Sequence, residues 1–255
     1  MRIVQILPLL IFHLPFNGCT GLQKVTFAEG TTTIPNDIFS GLDFFTNSNF
    51  NIPATVTTIG ESAFSGLTKL DNIVLPEGLQ SIGQSAFEGC SSLTSVTFPK
   101  TITILGSNSF RTCKGLTEVI LPKSLTKVDT NGVSESPFAG CENLTKVVFE
   151  EGMEKIPAHI LNGASSVKEV SIPETVTVIG EASFSQLTQL KTVTLPKKLE
   201  SIGRNAFDGC SSLASITFPE TLKTLGSNSF RACNRLTEVT LPKNLVKMDT
   251  NLLDE

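Results

Sequence analysis

Apolar and polar positions alternate in short bursts along this chain, and the bursts recur. In Ser95-Val96-Thr97-Phe98 the alternation predicts a short strand with Val96 and Phe98 turned inward and Ser95 and Thr97 outward. Pro99 ends that strand, because it has no amide hydrogen to offer a ladder. Ile102, Leu105, Phe110 and Cys113 then return apolar contacts to the interior, and Gly106 among them is expected to supply a tight turn at positive φ. The phrase reads Leu-x-x-[Val/Ile]-x-[Leu/Phe/Ile]-Pro-x-x-[Leu/Val/Ile]-x-x-[Ile/Leu]-Gly-x-x-[Ala/Ser]-Phe-x-x-Cys, and then it begins again.

The phenylalanine of each phrase marks the period. The markers are Phe16, Phe39, Phe64, Phe87, Phe110, Phe138, Leu161 in the same slot, Phe184, Phe207 and Phe230, spaced 23, 25, 23, 23, 28, 23, 23, 23 and 23 residues apart. A fixed period in this range is the signature of a leucine-rich repeat solenoid. The expected fold is a mostly-β repeat solenoid of the α/β-type class. It is a right-handed coil of about nine 23-residue turns with short parallel strands on one face. One turn cannot bury its apolar face alone, so stacking at about 4.8 Å per coil gives a rod or shallow arc roughly 45 Å long.

A longer period lies above the first. Residues 52–131 match residues 172–251 at an offset of 120, with about two-thirds identity, which tandem duplication of a five-coil block explains. Asp71 becomes Lys191, Glu77 becomes Lys197 and Lys100 becomes Glu220, so these positions face solvent. Inward positions change among apolar types, as Val96 does to Ile216. Two coils carry insertions, Phe45–Phe50 and Asp129–Pro137, which a solenoid places in loops. Asp129, Asn131, Ser134 and Glu135 offer oxygens there, but their spacing does not fit a calcium loop.

These phrases, running from about Phe16 to Asn251, resemble the BspA-like leucine-rich repeats. The resemblance implies a solenoid at residues 16–255 and a surface-exposed or secreted protein, since the family consists largely of such proteins from microbes and protists. Some members are implicated in adhesion to host proteins and to other cells. The chain departs from the pattern at Leu161 and at Glu150-Glu151-Gly152, which stands where a strand-ending proline is expected. It also ends on Thr250-Asn251-Leu252-Leu253-Asp254-Glu255, so its last coil lacks a phenylalanine and a cysteine.

Composition narrows the function classes. Net charge is −4 with 17% charged residues and no basic run, which argues against nucleic acid as a partner. Trp and Tyr are absent against 17 Phe, so a binding surface must rely on area and polar pattern rather than on the usual aromatic anchors. Only His13 and His159 are present, and no Cys-x-x-Cys pair occurs, leaving little for a metal centre or a histidine-dependent triad. No nucleophile elbow, P-loop or dinucleotide fingerprint appears, so neither a cofactor nor catalysis is expected.

Residues 1–15 carry a single Arg2 and an apolar run from Ile3 to Phe12, too short to span a membrane. Two readings stand, a signal peptide or an irregular cap on the core. Asn143-Leu144-Thr145 is a glycosylation sequon that matters only in a secreted eukaryotic protein. Cysteines 19, 90, 113, 141, 210 and 233 share one slot, three residues after each marker. A ladder of packed thiols is one outcome. Occasional disulfides are the other, although side chains in register point in parallel, which is poor disulfide geometry.

The candidate binding face consists of the outward strand positions: Asn72 and Val74, Ser95 and Thr97, Glu118 and Ile120, Lys146 and Val148, Glu169 and Ser171, Thr192 and Thr194, Ser215 and Thr217, Glu238 and Thr240. A broad recognition surface for a protein or cell-surface ligand is one reading. Threonine and valine simply suiting a strand is the other. The expected function is a non-enzymatic recognition or adhesion module, extracellular or at the cell surface. The alternative is a spacer, or a fragment of a larger surface protein, with no ligand of its own.

Overall fold

Every coil turns the same inward positions to the axis, and their burial sets the architecture. Val96 and Phe98 are buried while Ser95 and Thr97 are exposed, and Leu79, Ile82, Phe87, Cys90 and Leu93 complete the lining of the neighbouring stretch. The computed structural model describes residues 15, 16, 18–130 and 136–249, with residues 247–249 described by their backbone. The leader or cap expected at residues 1–15 lies, apart from Pro15, outside the described residues, as do Asn131, Ser134 and Glu135 of the oxygen-bearing insertion. Among the described residues there is no helix.

The strands are short: β1 Thr33–Ile34, β2 Thr58–Ile59, β3 Ser81–Ile82, β4 Ile104–Gly106, β5 Glu118–Leu121, β6 Lys127–Asp129, β7 Lys146–Phe149, β8 Lys155–Ile156, β9 Glu169–Ser171, β10 Val178–Ile179, β11 Ser201–Ile202, β12 Thr224–Gly226 and β13 Lys247–Asp249. All pair in parallel, coil to coil. They form two five-stranded sheets, β1-β2-β3-β4-β6 and β13-β12-β11-β10-β8, and a three-stranded sheet, β5-β7-β9. The solenoid with parallel strands is as the period predicts, but the main ladder lies elsewhere. The segment expected to be the strand of every coil pairs only as β5, β7 and β9, whereas the regular ladder lies further along each coil, at segments such as Thr58–Ile59, Ser81–Ile82 and Ile104–Gly106.

Glycine explains the placement. Gly106 is not a positive-φ residue, contrary to the reading of its sequence. A Cβ there would fall inside the backbone of Gln84 in the preceding coil, and one on Gly83 would meet the Glu61 nitrogen at 2.7 Å. The column Gly60, Gly83, Gly106 and its copy Gly180, Gly203, Gly226 thus lets neighbouring backbones approach closely on this face.

Positive φ occurs instead on either side of the phenylalanine. Ser85 (53°) and Gly89 (75°) flank Phe87 two residues away on each side, and the same pair recurs as Ser62 and Gly66, and as Asn205 and Gly209. The turns aim successive amides at the next coil: Ser85 N donates to Ser107 O at 3.0 Å, Phe87 N to Ser109 O at 2.7 Å and Gly89 N to Arg111 O at 2.8 Å. A further backbone ladder therefore runs along the phenylalanine corner.

Thr112 occupies the glycine slot of its coil at φ 54°. A β-branched residue is strained there. Thr112→Gly is expected to stabilise by about 1 kcal/mol and raise Tm by roughly 2–4 °C. An unchanged or lowered Tm in thermal melts would contradict the strain.

The rings stack above this ladder. Centroids lie 5.0 Å apart for Phe64–Phe87, 5.1 Å for Phe87–Phe110 and 5.6 Å for Phe110–Phe138. The column resumes at 5.1 Å for both Phe184–Phe207 and Phe207–Phe230. Leu161 fills the intervening slot, fully buried. The first insertion packs inward, with Phe45 and Phe50 buried against Phe39 and Asn49 Oδ1 accepting from Thr46 N at 2.7 Å.

Candidate functional site

Period-two alternation fixes where the sixteen candidate side chains point. All of them stand outside the core, and all but the half-buried Lys146 and Val148 are exposed. Two columns run along the rod. The inner column carries Asn72, Ser95, Glu118, Lys146, Glu169, Thr192, Ser215 and Glu238, and the outer carries Val74, Thr97, Ile120, Val148, Ser171, Thr194, Thr217 and Thr240. Val74 is 77% exposed and Ile120 57%, so in the first block the outer column carries two exposed apolar side chains, one on each side of Thr97. Val74 and Ile120 become Thr194 and Thr240 in the second block, and from Ser171 onward the column is hydroxyl-bearing.

The centre of this face is where strand pairing joins its coils. Register places Glu118 beside Lys146 and Lys146 beside Glu169 on β5, β7 and β9. Lys146 Nζ lies 2.9 Å from Glu118 Oε1. Its ammonium is held above the ordinary lysine value by the hydrogen bond to Glu118, then by the charges of Glu118 and Glu169. Away from these strands the described coils of this face are joined by single backbone bonds, such as Thr94 N to Asp71 O at 3.2 Å and Ala214 N to Lys191 O at 3.1 Å, and shallow clefts open between them. One of about 450 Å³ lies between Ser95–Thr97 and Glu118–Ile120. Another of about 300 Å³ lies between Thr192–Thr194 and Ser215–Thr217.

The cysteines pack as a ladder of free thiols. Each buried one reaches back to the carbonyl of a phenylalanine in the preceding coil. Sγ of Cys90 donates to Phe64 O at 3.2 Å, Cys113 to Phe87 O at 3.1 Å, Cys141 to Phe110 O at 3.1 Å, Cys210 to Phe184 O at 3.1 Å and Cys233 to Phe207 O at 3.2 Å. Burial pushes the thiols of Cys90, Cys141 and Cys210 up to about 12 and Cys233 to about 11. Cys113 is driven well above the ordinary range by burial and by its neighbours Cys90 and Cys141. Such thiols are poor nucleophiles and poor metal ligands. Cys19, in the first described coil, is exposed.

Among the described residues, no group of three or more His, Cys, Asp or Glu is placed to hold a metal ion, and no helix is long and apolar enough to cross a membrane. The sequence reading missed the ion pairs, of which Asp208–Arg231 has the most buried carboxylate among the described residues. The nearly buried Asp208 receives a two-point contact from Arg231, Nε to Oδ1 at 2.9 Å and Nη2 to Oδ2 at 2.6 Å. The signal was their 23-residue separation, which places both at the same position of adjacent coils.

Parallel strands of two to four residues, glycine-tightened coils and a leucine-lined interior define a leucine-rich repeat solenoid of the short-strand kind. The model of the BspA type leucine rich repeat region matches in six copies over residues 11–49, 43–165 and 131–255, and the chain belongs to that family. Among solved structures it is similar to a leucine-rich repeat protein from Bacteroides ovatus, with 31% identity and a TM-score of 0.62 over 88% of this chain and 62% of that one. It is also similar to the T. pallidum leucine rich repeat protein, with 27% identity and a TM-score of 0.52 over 66% of this chain and 78% of that one. The chain thus spans 62% of the length of the Bacteroides ovatus protein. No curated protein matches it.

Proposed function

We propose that the chain is a non-enzymatic recognition module of a cell-surface or secreted protein, adhesive in character, and that the two outward columns are its contact face. The observation that carries this reading is the divergence of the outer column between duplicated blocks. Val74 and Ile120 become Thr194 and Thr240, while the inward positions beside them keep their apolar character. Strand formation alone is indifferent to Val and Thr, and so gives no reason for both apolar residues to stand in one block and hydroxyls in the other. Two chemistries on one rigid support instead suit a broad ligand that is read along its length. Family membership supports the surface location, and the sixteen face residues are the contact positions proposed.

The test is a variant carrying Ser95→Lys, Thr97→Lys, Thr192→Lys and Thr194→Lys, all at exposed positions. Its adhesion to whole cells and to immobilised extracellular-matrix proteins is expected to fall at least about tenfold with the circular dichroism unchanged. Equal adhesion by the folded variant would remove this face from the function and favour a spacer.

A further inference from the structure

One outward stretch differs completely between the duplicated blocks. In the first it reads Asp71-Asn72-Ile73-Val74-Leu75-Pro76-Glu77-Gly78, and in the second Lys191-Thr192-Val193-Thr194-Leu195-Pro196-Lys197-Lys198. The inward residues stay apolar, Ile73 answering to Val193 and Leu75 to Leu195. The five others all differ. Two carboxylates and a glycine stand against three lysines, and an amide and a valine against two threonines. All five residues of the second copy are exposed, so core packing does not dictate their chemistry.

The stretch stands between two clefts. One of about 380 Å³ parts Thr192–Thr194 from Lys168–Ile172, and the other, of about 300 Å³, parts it from Ser215–Pro219. Ser171, Thr192, Thr194, Ser215 and Thr217 line them with hydroxyls, Lys168 borders the first and Lys197 the second. Lys168 and Lys191 hold one position in consecutive coils, 23 residues apart, with the uncharged Thr145 and Ala214 on either side of them. Backbone bonds mark that column: Lys168 N donates to Thr145 O at 2.8 Å and Ala214 N to Lys191 O at 3.1 Å.

Elsewhere a lysine in such a column meets a carboxylate in the next coil, as Lys146 meets Glu118 and Lys223 meets Glu200, both at 2.9 Å. Lys168 and Lys191 meet each other, and neither forms an ion pair with a described residue. Among the residues lining the two clefts Glu169 is the one carboxylate, and register sets it beside Lys146. Glu174 and Glu220 flank Lys197 in its own column without an ion pair, and Glu174 Oε2 accepts from Lys197 N at 3.0 Å. Like charges stacked one coil apart repel, and an anion shared between them removes that cost.

We propose that the clefts on either side of Thr192–Thr194, with Lys168, Lys191 and Lys197 at their mouths, bind an acidic polysaccharide. Its carboxylate or sulfate groups pair with the ammoniums. Its hydroxyls bond to the threonine and serine hydroxyls, which both donate and accept. A chain of repeating units suits clefts that repeat coil by coil. Nucleic acid fits less well, because neither cleft offers an exposed aromatic ring on which a base could stack. The site goes beyond the contact face proposed above, since its lysines lie outside those sixteen positions, and its probe and variants are different, so either reading can fail alone.

Titration of the full chain with chondroitin sulfate tests this, beside neutral dextran, polyglutamate and a single-stranded oligonucleotide. Chondroitin sulfate is expected to bind at about 0.15 M salt and to be released toward about 1 M, with dextran not binding. Lys191→Asp, Lys197→Glu and Lys198→Gly together install what the chain itself carries at 71, 77 and 78, so the fold accepts them. That variant is expected to lose at least about tenfold in affinity with unchanged circular dichroism. Thr192→Val with Thr194→Val keeps every charge and is expected to lose at least about threefold. No binding by the wild-type chain, or equal binding by the charge variant, overturns the proposal. So does polyglutamate or the oligonucleotide binding as tightly as chondroitin sulfate, or an unchanged affinity in the valine variant, because charge alone would then account for the site.

Discussion

Phe87→Ala is expected to cost about 3–5 kcal/mol, a large part of the stability of an ordinary domain. Phe87 is fully buried and sits between Phe64 and Phe110 at 5.0 and 5.1 Å, so truncation removes both stacking partners' contacts and leaves a ring-sized void. The amides of Ser85, Phe87 and Gly89 that reach the next coil depend on that corner keeping its shape. In a stack where each coil touches only its neighbours, the loss also uncouples the coils before Phe87 from those after it. Guanidinium unfolding should therefore show a lower midpoint and a broader transition. Phe87→Leu reproduces what the chain itself places at Leu161 and is expected to cost under about 1.5 kcal/mol. A loss below about 1 kcal/mol for the alanine variant would mean that the ring column is not what holds the coils together.

Alkaline solution should unfold the protein over a narrow range. Burial pushes the thiols of Cys90, Cys141 and Cys210 up to about 12 in the folded state, Cys233 to about 11 and Cys113 well above the ordinary value of 9.0. Below about pH 9 both states hold these protons and the stability is fully present. Above it the unfolded chain releases protons that the folded one keeps, so stability falls as pH rises toward the folded values. Each thiol contributes about 1.4 kcal/mol per pH unit, and the five together give roughly 7. A typical domain stability is then exhausted within about one to two units above pH 9. Urea midpoints measured from pH 8 to 11 would show the fall, and Cys90→Ala with Cys210→Ala should reduce its slope by about two fifths. A stability that stays flat to pH 11 would show that the thiols are not sealed from solvent.

Much of this fold was legible because a period of 23 residues repeats each inference until it is secure. Val96 and Phe98 inward with Ser95 and Thr97 outward follow from alternation alone, and the structure places them so. The role of Gly106 was not legible, because its reason is the backbone of Gln84, a neighbour 22 residues earlier that only the stacking brings near. For the same reason the main ladder was assigned to the wrong segment. A strand as short as Thr58–Ile59 has no room to display an alternation. At the candidate face, exposure was readable residue by residue. The clefts beside Thr97 and Thr194 were not, since they depend on whether adjacent coils close a ladder.

The two five-stranded sheets end at β6 and at β8, in consecutive coils, and no ladder joins those strands. At that step the coils are joined by β5 and β7 and by the phenylalanine corner, where Phe110 N donates to Pro137 O at 2.8 Å and Thr112 N to Ala139 O at 2.9 Å, and one step later the ring column pauses at Leu161. Tension along the rod is therefore shared by two strand ladders that hand over to each other, the first ending at β6 and the second starting at β8, while β5, β7 and the phenylalanine corner bridge the gap.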